Sequence, residues 1–320
     1  MTGPVAITGS TGFAGSAVVG LLERQGIALR LLMRKPSAEK NGNAEIVGGD
    51  LGDRPALARL MQGASAVIHI AGAIAAPNRA AFFETNAAGT LHVAQAAAKA
   101  GVKRFIHVSS LAAREPGLSD YGASKREAED RLRPYKDDFE AVILRPPAIY
   151  GPGDRATLPL FAQMTKRIAV LPGTPQARFS LLYVEDFARL ILAALDGAPA
   201  GLHEIDDETP GGYSWPELLA IAAQAAGHPI RPVFLPRGLA MPVARLAKVF
   251  PRIPLTAGKV NELYHADWVA RRGSLGIAAP VRFMDGLPRT LSWYRDAGWL
   301  PRRAAADKTA AQTQQGERTS

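Results

Sequence analysis

Cysteine is absent from this chain of 320 residues, which excludes disulfides, thiolate nucleophiles and cysteine-held zinc or iron–sulfur centres together. Long apolar runs are absent too: no window approaches the roughly 20 apolar residues of a membrane-spanning helix. Met1 to Ile7 lacks the basic start of a secretory signal. A cytoplasmic protein, at most peripheral to a membrane, is therefore expected. The six histidines fall singly, without ligand spacing, so no metal site is expected. The basic residues come with no nucleic-acid recognition motif, so no nucleic-acid partner is expected either. Acidic side chains are missing altogether between Leu218 and Asn261, a stretch that holds Arg231, Arg237, Arg245, Lys248, Arg252 and Lys259.

What is present is an ordinary globular composition, 47% hydrophobic and 21% charged, in a chain long enough for a core without staples. Lys and Arg exceed Asp and Glu by 38 to 29, a net charge of +9, which suits a phosphate-bearing cofactor or an anionic surface. The segment 301–320 has almost nothing to bury and reads as a disordered tail.

Short β-branched runs at Pro4–Thr8, Leu29–Met33, Glu45–Val47, Ala66–Ile70, Arg104–Val108 and Ala141–Leu144 alternate with helical patterns after Gly12, Arg54, Phe82 and Gly122. That alternation predicts an α/β fold: a doubly wound parallel sheet of the Rossmann type, with helices on both faces. After Tyr150, Gly and Pro become frequent between helices such as Trp215–Ala226 and Gly286–Ala297. The division expected is a dinucleotide-binding core over 1–155, extended by elements near 179–197, and a smaller α/β substrate lobe over 156–178 and 198–300.

Val5–Thr8 runs into Gly9-Ser10-Thr11-Gly12-Phe13-Ala14-Gly15 and then a helix. Strand, glycine turn and helix N-terminus make a pyrophosphate cradle, because glycine lets the backbone approach and free N–H groups favour the anion. At the end of the second strand stand Arg34 and Lys35, where an acidic residue would accept the ribose of NAD. A basic pair suits the 2′-phosphate of NADP, so NADP(H) is favoured over NAD(H).

Downstream, Ser109-Ser110 follows a strand, and Tyr121-Gly-Ala-Ser-Lys125 opens a helix. Residues four apart share a helix face, so the Lys125 ammonium reaches the space of the Tyr121 phenol. A nearby cation lowers a phenol pKa from its usual value of about 10. His69 and His107 fall on core strands and are expected to be hydrogen-bonded there. Asp186 is expected to cap a helix beginning near Phe187, and Asp206 to Glu208 to form a solvated turn.

With these pieces stand Gly49-Asp50-Leu51, His69-Ile-Ala-Gly72, Asn86-Ala-Ala-Gly-Thr90, Leu144-Arg-Pro-Pro-Ala-Ile-Tyr-Gly-Pro-Gly-Asp154, Tyr183-Val-Glu-Asp186 and Gly286 to Trp299. The ordered set resembles the extended short-chain dehydrogenase/reductase family, which includes NAD(P)-dependent epimerases, dehydratases and 3β-hydroxysteroid dehydrogenase-like enzymes. The resemblance implies an oxidoreductase in which Tyr121 is the general acid or base. Ser110 would bind the same substrate oxygen, with Ser109 as the fallback, and Lys125 would hold the nicotinamide ribose and bias Tyr121 toward phenolate. It further implies that Asp50 and Leu51 border the adenine, that Ala71, Gly72, Ala73, Asn86 and Ser109 line the cofactor, and that Pro147, Ala148 and Ile149 face the carboxamide.

For the substrate, three readings stand. One is a ketone or secondary alcohol on a lipid-like molecule such as a keto-lipid, keto-sphingolipid precursor or sterol, the second a nucleotide sugar, the third a non-catalytic NADPH-binding scaffold. Gly238–Phe250 would form a helix apolar on one side and basic on the other, suited to anionic membrane or a lipid-like substrate, although Pro242 weakens a long helix. Nucleotide-sugar relatives commonly carry an Arg where this chain has Phe179, with Arg178 one place earlier, and the Ser110–Tyr121 connection is short. A homodimer is compatible with these features.

Overall fold

Apolar side chains in the N-terminal strands flip sides with a period of two, and both sides are buried. The strands are β1 (Val5–Thr8), β2 (Leu29–Met33), β3 (Glu45–Gly48), β4 (Ala66–His69), β5 (Arg104–Val108) and β6 (Glu140–Arg145). Val5, Ile7, Leu31, Ile68 and Ile106 enter one core layer, while Ala6, Leu32, Val67 and Phe105 enter the other. Only a sheet covered on both faces accommodates that pattern. The computed structural model, which describes residues 3–35, 44–246, 256–271, 275 and 277–302, contains that sheet. Its seven strands run in the order Gly201–Glu204, β6, β5, β4, β1, β2, β3, each pair parallel.

One face is covered by α1 (Phe13–Arg24) and the helix Val184–Leu195, which pack on each other. The other is covered by α2 (Arg54–Met61) and, beyond the short α3 (Arg79–Phe83), by α4 (Gly89–Lys99). The strand order reverses direction between β1 and β4, so the crevice at their C-terminal ends is where an open α/β sheet receives a ligand. The fifth helix, α5 (Asp120–Asp130), lines that end beside β5.

A second core lies beyond the sheet. Tyr150, Phe161, Tyr183, Tyr213 and Phe283 form an aromatic cluster, with Tyr150 to Phe283 centroids 5.4 Å apart in edge contact. Gly286 is needed there, since a Cβ would fall 2.3 Å from the Tyr150 hydroxyl. The helix Phe283–Asp296 and the capped helix Trp215–Ala226 close this layer. A parallel two-stranded ribbon, Ile168–Pro172 with Arg231–Leu235, flanks it.

Several expectations are corrected. Gly201–Glu204, assigned by sequence to the smaller lobe, is an edge strand of the main sheet, pairing with β6 from Val142 to Arg145. Asp186 is no cap: the helix starts at Val184, and the fully buried Asp186 carboxylate accepts the Val281 N–H at 2.6 Å and Arg189 at 3.0 Å. Asp206 and Asp207 are buried, not solvated, and Asp207 accepts the Tyr213 hydroxyl at 2.6 Å. His107 is buried with neither ring nitrogen hydrogen-bonded, stacking instead on His69 at 5.5 Å. The amphipathic helix spans Arg237–Leu246 and tolerates Pro242. Residues 247–250 of that expected helix and residues 303–320 of the expected tail lie outside the described residues.

The aromatic cluster predicts that Phe283→Ala lowers the unfolding free energy by about 3–5 kcal/mol. Equilibrium denaturation would show it as a fall in midpoint, and a change under about 1 kcal/mol would mean that this core collapses around the cavity.

Candidate active site

The crevice at the β1–β4 switch point begins with the turn after β1. Gly9 has φ +80°, and a Cβ there would lie 2.5 Å from the Ala71 nitrogen; one on Gly15 would lie 2.0 Å from the Gly9 oxygen. Both positions therefore demand glycine. The first turn of α1 has neither a side-chain cap nor an acidic residue, and the buried Ser10 hydroxyl has no hydrogen-bond partner within the protein. Free N–H groups, a partnerless hydroxyl and a backbone stripped of Cβ atoms fit a bound pyrophosphate. Thr11 and Gly12 are exposed, Phe13 and Ala14 partly so. Arg34 and Lys35 are exposed at the end of β2, and Gly49 ties back to Met33 by its N–H at 3.1 Å. Asp50 accepts the Gly52 N–H at 2.8 Å, which shapes the loop that leads through Leu51 to α2.

After β4 the backbone is held by Asn86, which is buried. Its Oδ1 accepts the Ala73 N–H at 2.7 Å, and its Nδ2 donates to the Ala73 oxygen at 3.0 Å and to Ser124 at 2.8 Å. Asn86 thus clamps the 71–73 loop from below, while Gly72 stands exposed above it. A neighbouring chain of hydrogen bonds fixes the state of His69. Thr90 donates to the Asn86 oxygen at 2.6 Å, so it accepts from His69 Nε2 at 3.0 Å, which leaves Nδ1 to accept from Thr8 at 2.6 Å. Burial, and secondarily the Lys125 charge, lower the His69 pKa to about 3, which keeps the ring neutral. Burial is also the main reason that His107 titrates well below the ordinary value.

Ser110, Tyr121 and Lys125 meet above β5. Ser119 caps α5 through the Gly122 N–H at 2.9 Å, which sets Tyr121 in the first turn and Lys125 one turn on. The Ser110 hydroxyl accepts the Ala112 N–H at 3.2 Å and stands near enough to the Tyr121 phenol to lower its pKa. Burial pushes that phenol up to about 12, Ser110 pulls it down, and Glu262 raises it further. Burial, not Lys125, is the largest influence on the Tyr121 pKa. Lys125 donates to the Val108 oxygen at 2.6 Å, and burial pulls it down to about 8 against the opposing Glu129 carboxylate.

Ser109 faces away from Ser110. Its buried hydroxyl donates to Glu129, which also takes a two-pronged contact from Arg145 at 2.8 and 2.7 Å. Arg145 continues to Glu204 at 3.5 Å, and Glu204 meets Arg114 at 3.3 Å. This network was not anticipated from sequence, although Glu129 lies one turn beyond Lys125. Pro147 is partly exposed, Ala148 exposed, and Ala148–Tyr150 pairs with Leu181–Tyr183. Two further residues were missed: Phe82, whose ring lies 6.2 Å from that of Tyr121, and Ile74, 72% exposed beside Gly72 and Ala73. Nothing in their spacing marks them, since Ile74 is placed by a loop and Phe82 by the short α3. Among the described residues no group of three or more His, Asp and Glu side chains is arranged to hold a metal ion.

The comparisons agree with this geometry. Residues 5–205 match the model of the NAD dependent epimerase/dehydratase family. The chain is 41% identical over 315 residues to a ceramide reductase of Caulobacter vibrioides, covering 95% of this chain and 98% of that one. It is 27% identical to sterol demethylase protein B of Methylococcus capsulatus, covering 92% and 99%. The dTDP-glucose 4,6-dehydratase DesIV of Streptomyces venezuelae, solved with NAD and TYD bound, superposes with a TM-score of 0.71 at 24% identity, covering 93% and 99%.

The buried network predicts that Arg145→Ala, which strands the Glu129 charge, destabilises the fold by about 3–5 kcal/mol. It further predicts that Glu129→Gln lowers the Lys125 pKa below about 8. Lysine-selective NMR titration would read that shift, and a wild-type Lys125 titrating at its ordinary value would contradict the assignment.

Proposed function

The chain belongs to the NAD dependent epimerase/dehydratase family, as an extended short-chain dehydrogenase/reductase, and on that premise we propose that it reduces a ketone on a sphingolipid-like substrate with NADPH. The observation that carries this reading is the 41% match to a ceramide reductase along both the sheet and the lobe, since substrate is chosen by the lobe. The exposed Ile74 and the Phe82 ring beside Tyr121 put apolar surface where a lipid chain would lie.

Bound NADPH supplies a hydride. The chain's own residues do the rest. The glycine turn and α1 hold the pyrophosphate, and Arg34 and Lys35 meet the 2′-phosphate with a charge complement that an adenosine hydroxyl would not use. Lys125, already aimed from α5 at the top of β5, binds the ribose hydroxyls. Tyr121 carries its proton through the neutral range, because its pKa is raised to about 12, and gives that proton to the ketone oxygen as charge develops there. Ser110 donates to the same oxygen. A protonated Tyr121 is the form needed for reduction.

A nucleotide-sugar substrate is disfavoured by Arg178. Its guanidinium donates to the Gly211 oxygen at 2.6 Å and the Gly212 oxygen at 2.9 Å, and lies 3.6 Å from Glu217, so it is committed to the lobe's own backbone. A diphosphate would have to break those contacts.

Tyr121→Phe is expected to bind NADPH as wild type does and to lose at least about a hundredfold in turnover; loss of only a few-fold would overturn its role. Fluorescence titration should show NADPH binding more tightly than NADH, with Arg34→Glu reversing the order. Equal affinities in the wild type would remove the NADP assignment.

A further inference from the structure

We infer that the outward face of the ribbon Ile168–Pro172 with Arg231–Leu235, together with the start of the helix Arg237–Leu246, docks on an anionic lipid bilayer. Alternation within the ribbon turns Ala169 and Leu171 inward and leaves Ile168, Val170 and Val233 outside, 57%, 48% and 46% exposed. Val170 and Val233 are register partners, so they stand side by side. Leu239, from the adjoining helix, is 61% exposed. Three of the six large apolar side chains most exposed among the described residues thus stand together on this ribbon, and a grouping of that kind marks a contact surface.

Charge identifies the partner. Lys166, Arg167, Arg231 and Arg237 are all exposed around this face. The fold has brought together two acid-free segments, Arg155–Val184 and Leu218–Asn261, so neither strand nor the helix offers a carboxylate. The neighbouring acids are engaged: Glu217 with Ser214 and Arg178, and the buried Glu262 with Lys259 and Ser119. A second copy of this chain seated on the face would set cation against cation with nothing to neutralise them. An anionic bilayer answers both features at once, with headgroups for the cations and an acyl boundary for the aliphatic tips.

The face is also joined to the active site. Tyr264 donates to the Leu235 oxygen, and Arg237 to Asn261 at 2.8 Å; Asn261 in turn donates to the Leu118 oxygen at 3.0 Å. Gly258 packs against Ser119, the cap of the helix that presents Tyr121. The ribbon is thus linked through Asn261, Tyr264 and Gly258 to the cap of the helix that carries Tyr121. The attraction of this position for a lipid substrate rests on the function proposed above, whereas the docking itself does not.

The test is co-sedimentation, without substrate, on phosphatidylglycerol–phosphatidylcholine vesicles and on phosphatidylcholine alone. The wild type should bind the first and not the second. Lys166→Gln/Arg167→Gln/Arg231→Gln should weaken binding about tenfold or more. Ile168→Ser/Val170→Ser/Val233→Ser should weaken it comparably, while both variants bind NADPH as wild type does. The inference is overturned if wild type ignores anionic vesicles, if either variant binds them as well as wild type, or if the apolar variant merely dissociates a dimer. Reduction of a keto-sphingolipid in detergent micelles by both variants separates a failure of docking from a failure of the proposed reaction.

Discussion

The candidate active site is held together by one buried ion pair. Arg145, at the end of β6, grips Glu129 on α5 with two hydrogen bonds, and the same carboxylate takes the Ser109 hydroxyl at the end of β5. Three elements are thereby fixed relative to one another. Ser110 follows Ser109, Lys125 lies one helical turn before Glu129, and Tyr121 one turn before that. Charges taken out of water in this way gain little net stability, but their geometry is strict and removing one partner is costly. The pair is better understood as a positioning device than as a source of stability.

The network reaches farther than the site. Arg145 also meets Glu204 on the edge strand Gly201–Glu204. Glu204 accepts the Arg271 N–H at 2.8 Å, and Arg114 donates to the Val269 and Asp267 oxygens at 2.7 and 2.6 Å. The sheet end and the segment 267–271 of the second lobe are thus tied through the charges that orient α5. This explains why the edge strand belongs with the sheet although it follows part of the lobe in the chain.

Much of this was legible in the sequence because the sheet is regular. Short β-branched runs and the strand–glycine–helix turn are local signals, and Tyr121 with Lys125 needs only the helical repeat. What escaped was set by tertiary contact. Gly201–Glu204 is a short strand whose partner lies about sixty residues back. Asp186 and Asp207 look like surface acids until the helix Phe283–Asp296 and its approach are packed over them, supplying the Val281 N–H and Arg282. Ser109 and Ser110 are adjacent and chemically alike, and only the extended backbone beyond β5 turns one to Glu129 and the other toward Tyr121. The Tyr121 pKa follows the same rule, for its largest influence is burial.

The fold, the glycine cradle and the Ser110–Tyr121–Lys125 arrangement converge on the claim that hydride and proton reach a lipid ketone together. Incubation of the protein with NADPH carrying deuterium at both nicotinamide C4 positions and a keto-sphingolipid, followed by mass spectrometry of the product, tests this most directly. The account predicts one deuterium on the new carbinol carbon for each NADPH consumed. Unlabelled product, or NADPH left unconsumed while a nucleotide sugar is epimerised, would contradict it.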